Sequence, residues 1–266
     1  MFIDYHIHSS FSGDCNTPIE DIIKKAIELN LQEIAITDHI DYDYKNIRTD
    51  FSIDLNKYFK TLKYYKKFYK DSLSIKIGVE IGLFKEVLNK YEKDIQENEF
   101  DFIIGSIHSM SNMDDLYDGS YFEGKTQKQA YIKYYEHVLD IINTYDNFSV
   151  LGHLDIIRRY GGYNAPLSNI DFKNIIEEIL KTLISKDKGI ELNTSGYRYN
   201  LGDFSPCKNI FKMYKDLNGK IITLGSDSHV PNQLSYEFKS SIDYLKSIGF
   251  NELTKFEKLK PIFYKI

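Results

Sequence analysis

Short apolar runs alternate along the whole chain with charged stretches of helical period, and most of the runs end in, or are followed directly by, a histidine or a carboxylate. The runs are FIDYHI (2–7), EIAIT (33–37), SIKIGVE (74–80), DFIIGSI (101–107), FSVLGH (148–153), GIELN (189–193) and KIITLGS (220–226). Runs of this length, rich in Ile, Val and Leu, read as buried strands. Thr17-Pro18 opens the first intervening helix, with Thr17 as N-cap and Pro18 at its first position. Further helical stretches span roughly 54–70, 85–97, 125–145, 169–187, 206–217 and 235–247. Seven strand–helix units in tandem predict an α/β fold with a parallel sheet closed, or nearly closed, into a barrel. No repeat or Pro/Gly-rich linker divides residues 1–266, so a single domain is expected. The loops at 40–53, 109–124 and 194–204 follow strands, on the side of a barrel where active sites are built.

Six of the seven histidines stand in the blocks that close these strands: HIH (His6, His8), TDH (His39), SIH (His108), GHLD (His153) and SDSH (His229). Glu80, ending GVE, and Asp227, within SDSH, complete the set. Residues i and i+2 of a strand face the same side, so His6 and His8 can reach one ion, and Asp227 and His229 repeat that geometry. Glu80 stands where a carboxylate bridging two cations is wanted, with His108 and His153 as its partners. Taken singly, HIH also describes two half-buried surface histidines, Glu80 a solvated rim residue and SDSH a turn. Their recurrence at successive strand ends favours a metal centre. Such His/Asp/Glu donors suit Zn, Mn or Fe. Two or more of these ions generate hydroxide near neutral pH and clamp phosphoryl oxygens, so metal-assisted hydrolysis is the expected reaction class.

Composition narrows the partners. A net charge of −5 gives no footprint for nucleic acid or an anionic membrane, and no apolar run approaches the ~20 residues of a membrane span. Two cysteines without CxxC spacing, and an N-terminus that enters a strand at once, suggest a cytoplasmic protein. Most basic residues are lysine, which makes Arg158, Arg159 and Arg198, all close to ligand-type blocks, candidates for gripping phosphate through a bidentate guanidinium. Asp155, two residues after His153, is either a leaving-group acid or, preferably, a partner orienting a ligand. Asp114, Asp115 and Asp118 are candidates, by location, for a substrate's positive charges. His137 lies inside a helix and is expected only to pack.

In order along the chain, HIHSSFSGD, ITDH, GVE, GSIH, GHLD and GSDSH resemble the motifs of the polymerase-and-histidinol-phosphatase (PHP) superfamily. ELNTSGYRYN, GHLDIIRRYGG and the closing GF-x-E-L-T-K-F resemble, more narrowly, its histidinol-phosphatases. The resemblance implies a distorted (β/α)7 barrel with up to three divalent ions at the C-terminal strand ends. It implies that His6, His8, Glu80 and Asp227 hold the first ion, that Glu80, His108 and His153 hold the second, and that Asp14, His39 and His229 hold the third. Asp14 enters this set through the resemblance alone; by itself it reads as a turn residue after Ser12-Gly13. The implied reaction is hydrolysis of the small phosphomonoester L-histidinol phosphate in histidine biosynthesis, with Glu80 and Asp227 in the catalytic centre. Alternatives are a PHP phosphoesterase acting on nucleotides or nucleic-acid ends, and a non-catalytic metal-binding protein. The sequence sets no oligomeric state.

Overall fold

The computed structural model describes residues 2–43, 51–111, 114–163 and 165–266; Arg48 lies outside them. The chain runs β1 (Ile3–Asp4), α1 (Ile19–Glu28), β2 (Glu33–Ile36), β3 (His39–Ile40), α2 (Leu55–Phe68), β4 (Ser74–Gly82), α3 (Leu88–Glu97) and β5 (Phe102–Ser106). It continues through α4 (Gln127–Thr144), β6 (Val150–Leu151), α5 (Lys173–Ser185), β7 (Gly189–Asn193), α6 (Ser195–Arg198), α7 (Lys208–Asp216), β8 (Ile222–Gly225) and α8 (Phe238–Ser247). A final hairpin joins β9 (Glu252–Glu257) to β10 (Lys260–Lys265).

The strands pair in parallel in the order β1-β2-β4-β5-β6-β7-β8, and β3 extends the line of β2 along β4, with His39 opposite Glu80. A parallel bridge between Ile7 and Ser228, with Tyr5 N–H donating to Leu224 O (2.9 Å) and His8 N–H to Ser228 O (2.8 Å), joins the last strand to the first. The sheet is thus nearly closed into the expected distorted barrel, with helices outside it. Helix α1 buries Ile19, Ile22, Ile23 and Ala26, the spacing of a single helical stripe facing the sheet.

Two sequence expectations need correction. Thr17 does not cap α1: Pro18 holds that place, and the Thr17 hydroxyl donates to His229 O at 2.7 Å, tying the first loop to the last ligand block. The hairpin β9–β10 was not anticipated. Its Phe256 packs on Tyr5 and Phe102, and Asp101 accepts from the backbone of Lys258 and Leu259, so the hairpin closes the barrel end where the strands begin. The opposite end stays open.

Candidate metal centre

At that open end the strand-end blocks converge on Glu80, whose side chain is buried. Its Oε2 lies 3.0 Å from His6 Nε2, 3.4 Å from His8 Nε2 and 3.1 Å from His39 Nδ1. Its Oε1 lies 2.9 Å from His153 Nε2 and 3.3 Å from His108 Nε2, and accepts from Ser106 Oγ at 2.6 Å. One carboxylate therefore faces two sets of imidazoles. Asp227 Oδ1 is 3.4 Å from His8 Nε2 and 3.8 Å from His6 Nε2. Asp14 Oδ2 lies 3.2 Å from His229 Nε2 and 3.7 Å from His39 Nε2, while the His8 ring stacks between those of His39 (4.3 Å) and His229 (4.2 Å). All nine ligand-type residues thus meet in one place. His137 lies apart on α4, as expected of a packing residue.

The donor set fits divalent ions. It is nitrogen and oxygen without sulfur, a set that suits Zn, Mn or Fe. His8 Nε2 and His39 Nδ1 are buried and make no hydrogen bond. Buried polar atoms normally have partners, so orphaned nitrogens facing carboxylates mark places for a cation. Electrostatics agree. Burial raises the Glu80 and Asp227 pKa values, but the surrounding histidines outweigh it and hold both carboxyls well below their ordinary range. Burial opposes protonation of His6 and His108, yet Glu191, Glu80 and Asp227 around one, and Asp41 and Glu80 around the other, raise both well above the usual value. Protons there supply the positive charge that an ion otherwise brings. His39, by contrast, is lowered to about 4, chiefly by burial.

Sequence reasoning missed the groups behind the ligands. Glu191 Oε1 lies 2.5 Å from His6 Nδ1, Asp41 Oδ2 3.0 Å from His108 Nδ1, and Ser12 Oγ 3.1 Å from His8 Nδ1. Gly82 is required beside Asp41, because a Cβ there would collide with that carboxylate. A carboxylate inside a strand buried at every position, as in GIELN, was the available signal for Glu191, since such groups are rarely buried unless paired.

The pocket over the centre holds about 300 Å³ and is walled by Phe51, Tyr117, Tyr160, Tyr199 and Arg159. The Arg159 guanidinium stacks 3.0 Å from the Tyr199 ring centroid. Arg158 turns away: its Nη1 donates to Asp155 Oδ2 at 3.0 Å, and it does not line the pocket. Asp155 is fully buried and also accepts from Ser205 Oγ (2.6 Å), Asn169 Nδ2 (2.9 Å) and Cys207 N–H (3.0 Å). These bonds tie the surrounding loops together, and Asp155 does not line the pocket. Arg198 Nη2 donates to the carbonyl of Asp227 at 2.7 Å, while its buried Nη1 meets no protein acceptor among the described residues. That bond steadies Asp227 in a left-handed conformation (φ 54°), uncommon outside glycine. Asp114, Asp115 and Asp118 do not line the cavity; Tyr117, from the same loop, does.

Among the described residues no helix is long and apolar enough to cross a membrane. Comparison with known proteins agrees with the geometry. The histidinol-phosphatase of Lactococcus lactis subsp. lactis is 33% identical, with 97% of this chain and 95% of that protein covered. A probable histidinol-phosphatase of Clostridium acetobutylicum is 30% identical over 100% of this chain and 97% of its own length. The crystal structure of the Lactococcus lactis histidinol phosphate phosphatase complexed with zinc, L-histidinol and phosphate superposes with a TM-score of 0.91, at 32% identity and 98% coverage of both chains. Residues 4–195 match the PHP domain, and the chain belongs to that family.

Proposed function

We infer that this protein is a metal-dependent phosphomonoesterase that hydrolyses L-histidinol phosphate to L-histidinol and inorganic phosphate. The observation that carries the reading is that four histidine blocks face Glu80 while the SDSH block meets His6 and His8 beside it, beneath a small aromatic-walled pocket. End-to-end similarity to a phosphatase solved with zinc and both products supports it. The pocket suits a small ester, and the free thiols of Cys15 and Cys207 are in keeping with a place in the cytoplasm.

His6, His8, Glu80 and Asp227 are proposed to hold one ion, and Glu80, His108 and His153 a second. Asp14, His39 and His229 are proposed to hold a third, with His39 lying between the groups because its Nδ1 faces Glu80 and its Nε2 faces Asp14. Bound ions of this kind supply Lewis-acid activation of water and of the phosphoryl group. The chain's own residues do the rest. Arg159, held flat on Tyr199, presents a planar fork to phosphate oxygens, while Arg198, which does not line the pocket, acts through its bond to the Asp227 carbonyl. Charge spread over phosphoryl oxygens is best stabilised by such preplaced donors. Phe51, Tyr117 and Tyr160 exclude water and give an imidazole ring flat surfaces to pack on.

Purified protein offered histidinol phosphate, an aryl phosphate, mononucleotides and short single-stranded DNA should show the highest kcat/KM on histidinol phosphate. Chelation should abolish turnover, and zinc or manganese should restore it. A preference for nucleotides would reassign the substrate, and full turnover after exhaustive metal removal would overturn the metal-dependent reading.

A further inference from the structure

Three buried carboxylates surround His6, but only two lie on the side of the ring that faces the centre. Glu80 and Asp227 approach Nε2, at 3.0 and 3.8 Å. Glu191 lies at the other ring nitrogen, 2.5 Å from Nδ1, with its side chain almost wholly excluded from solvent. Its remaining oxygen accepts from the backbone N–H of His153 at 3.0 Å and from Asn193 Nδ2 at 3.2 Å. One carboxylate on β7 thus holds a histidine of the first set by its ring and a histidine of the second set by its backbone. The chain makes room for it: a Cβ at Gly225 would collide with Glu191 Oε1 and press on His6 Cβ.

We propose that Glu191 is a positioning residue that couples the two halves of the metal centre. A carboxylate oxygen at hydrogen-bond distance from Nδ1 requires that nitrogen to carry the proton. The neutral His6 ring is then fixed as the Nδ1–H tautomer, with its Nε2 lone pair directed toward Glu80 and Asp227. The negative charge behind the ring also raises its basicity as a donor. Through its second oxygen, Glu191 sets where the GHLD block leaves β6, and with it the place from which His153 Nε2 reaches Glu80 Oε1. Asp41 differs: it backs the His108 ring, lies 3.9 Å from His39 Nδ1, and accepts from no ligand's backbone among the described residues. Glu191 is not itself a ligand in this scheme, because the whole His6 ring stands between it and Glu80. The proposal rests on reading the strand-end residues as metal ligands, and its test separates the two.

The test uses the full chain loaded with zinc, and it has two readouts. Nitrogen-15 NMR of the histidine side chains reports the His6 tautomer directly in the wild-type protein. The expected result is a protonated, strongly downfield Nδ1–H with Nε2 on zinc; an unprotonated Nδ1 overturns the proposal without any variant. Chelator competition then compares zinc affinities. Glu191→Gln should weaken binding about ten- to a hundredfold at two ion positions together and shift the His6 signal, with Glu191→Asp recovering part of the loss. Asp41→Asn, at a carboxylate that contacts neither His6 nor His153, should leave the His6 signal unshifted. A folded Glu191→Gln protein with wild-type affinity and an unshifted His6 signal overturns the coupling while leaving the metal centre standing. A wild-type protein that takes up no zinc overturns the metal-centre reading and this proposal together.

Discussion

The two ends of the barrel both bury carboxylates, and the partners given to each decide what that end does. At the closed end Glu33 accepts from Tyr5 Oη (2.6 Å) and Ser74 Oγ (2.7 Å) and lies 3.6 Å from Lys76 Nζ and 3.7 Å from Lys255 Nζ. Its charge is met by fixed cations and hydroxyls, and the hairpin seals it. At the open end Glu80 and Asp227 meet imidazoles, a serine and the Asn193 amide but no lysine, and three ring nitrogens of these histidines make no hydrogen bond. Lysine carries its own charge and completes the closed end. Histidine can give up its proton and accept an ion instead. Buried charge is structural in the first case and chemical in the second.

The sharpest way to break this contrast is at Glu80. Glu80→Ala should empty both ion positions that flank it and lower kcat/KM by at least about a thousandfold, roughly 4 kcal/mol of transition-state stabilisation. Metal analysis with steady-state kinetics would check this, and retained ions would mean that the bridge is misassigned. Next in size is the arginine pair. Arg159→Ala should raise KM and lower kcat/KM about ten- to a hundredfold, with Arg159→Lys recovering part of the loss. Arg158→Ala should leave kinetics on histidinol phosphate near wild type and instead lower stability by about 1.5–3 kcal/mol through its lost bond to Asp155. The opposite pattern would exchange their roles.

Protonation sharpens the contrast further. The His6 and His108 pKa values lie well above the ordinary histidine range in the metal-free chain, after Glu191, Asp41 and Glu80 overcome burial. At pH 7 both rings therefore hold protons that ligation must expel. Metal uptake should release protons, and affinity should rise with pH by about tenfold per unit for each proton displaced. Calorimetry in buffers of differing ionisation enthalpy measures the release; none would mean that the rings are neutral beforehand. The smallest effect on turnover belongs to the closed end. Glu33→Gln should leave kcat unchanged while lowering stability by about 3 kcal/mol, because buried Lys76 loses its nearer carboxylate and keeps Glu257 at 3.9 Å. Denaturant melts read this, and a loss of activity at unchanged stability would show that the two ends communicate.

Much of the open end was legible in the sequence, because histidines at the ends of apolar runs are a local pattern and a parallel barrel brings strand ends together. Other features had no local signature. The β9–β10 turn places Lys258 and Leu259 at φ 49° and 61°, the two-residue geometry usually marked by Asn-Gly or Asp-Gly, and Lys-Leu gives no such mark. Arg158 and Arg159 are adjacent in a short 3-10 turn, Ile156–Arg159, where successive side chains point about 120° apart. Sequence could name the pair but not say which one faces the pocket. Scarcity among lysines likewise marked Arg198 without revealing its bond to the Asp227 carbonyl.

The sequence by itself determined the barrel and the set of side chains able to bind ions, since both follow from residue type and periodicity along the chain, and its ordered motifs carried the resemblance to the family. Only the tertiary structure decided how those side chains are backed. Glu191 reaches His6 across 185 positions of sequence, and Asp41 reaches His108 across 67. The first contact exists only once β8 closes against β1, and the second only once β3 and β5 flank β4, because the order of the sheet rather than any local pattern sets which strand stands behind which ligand.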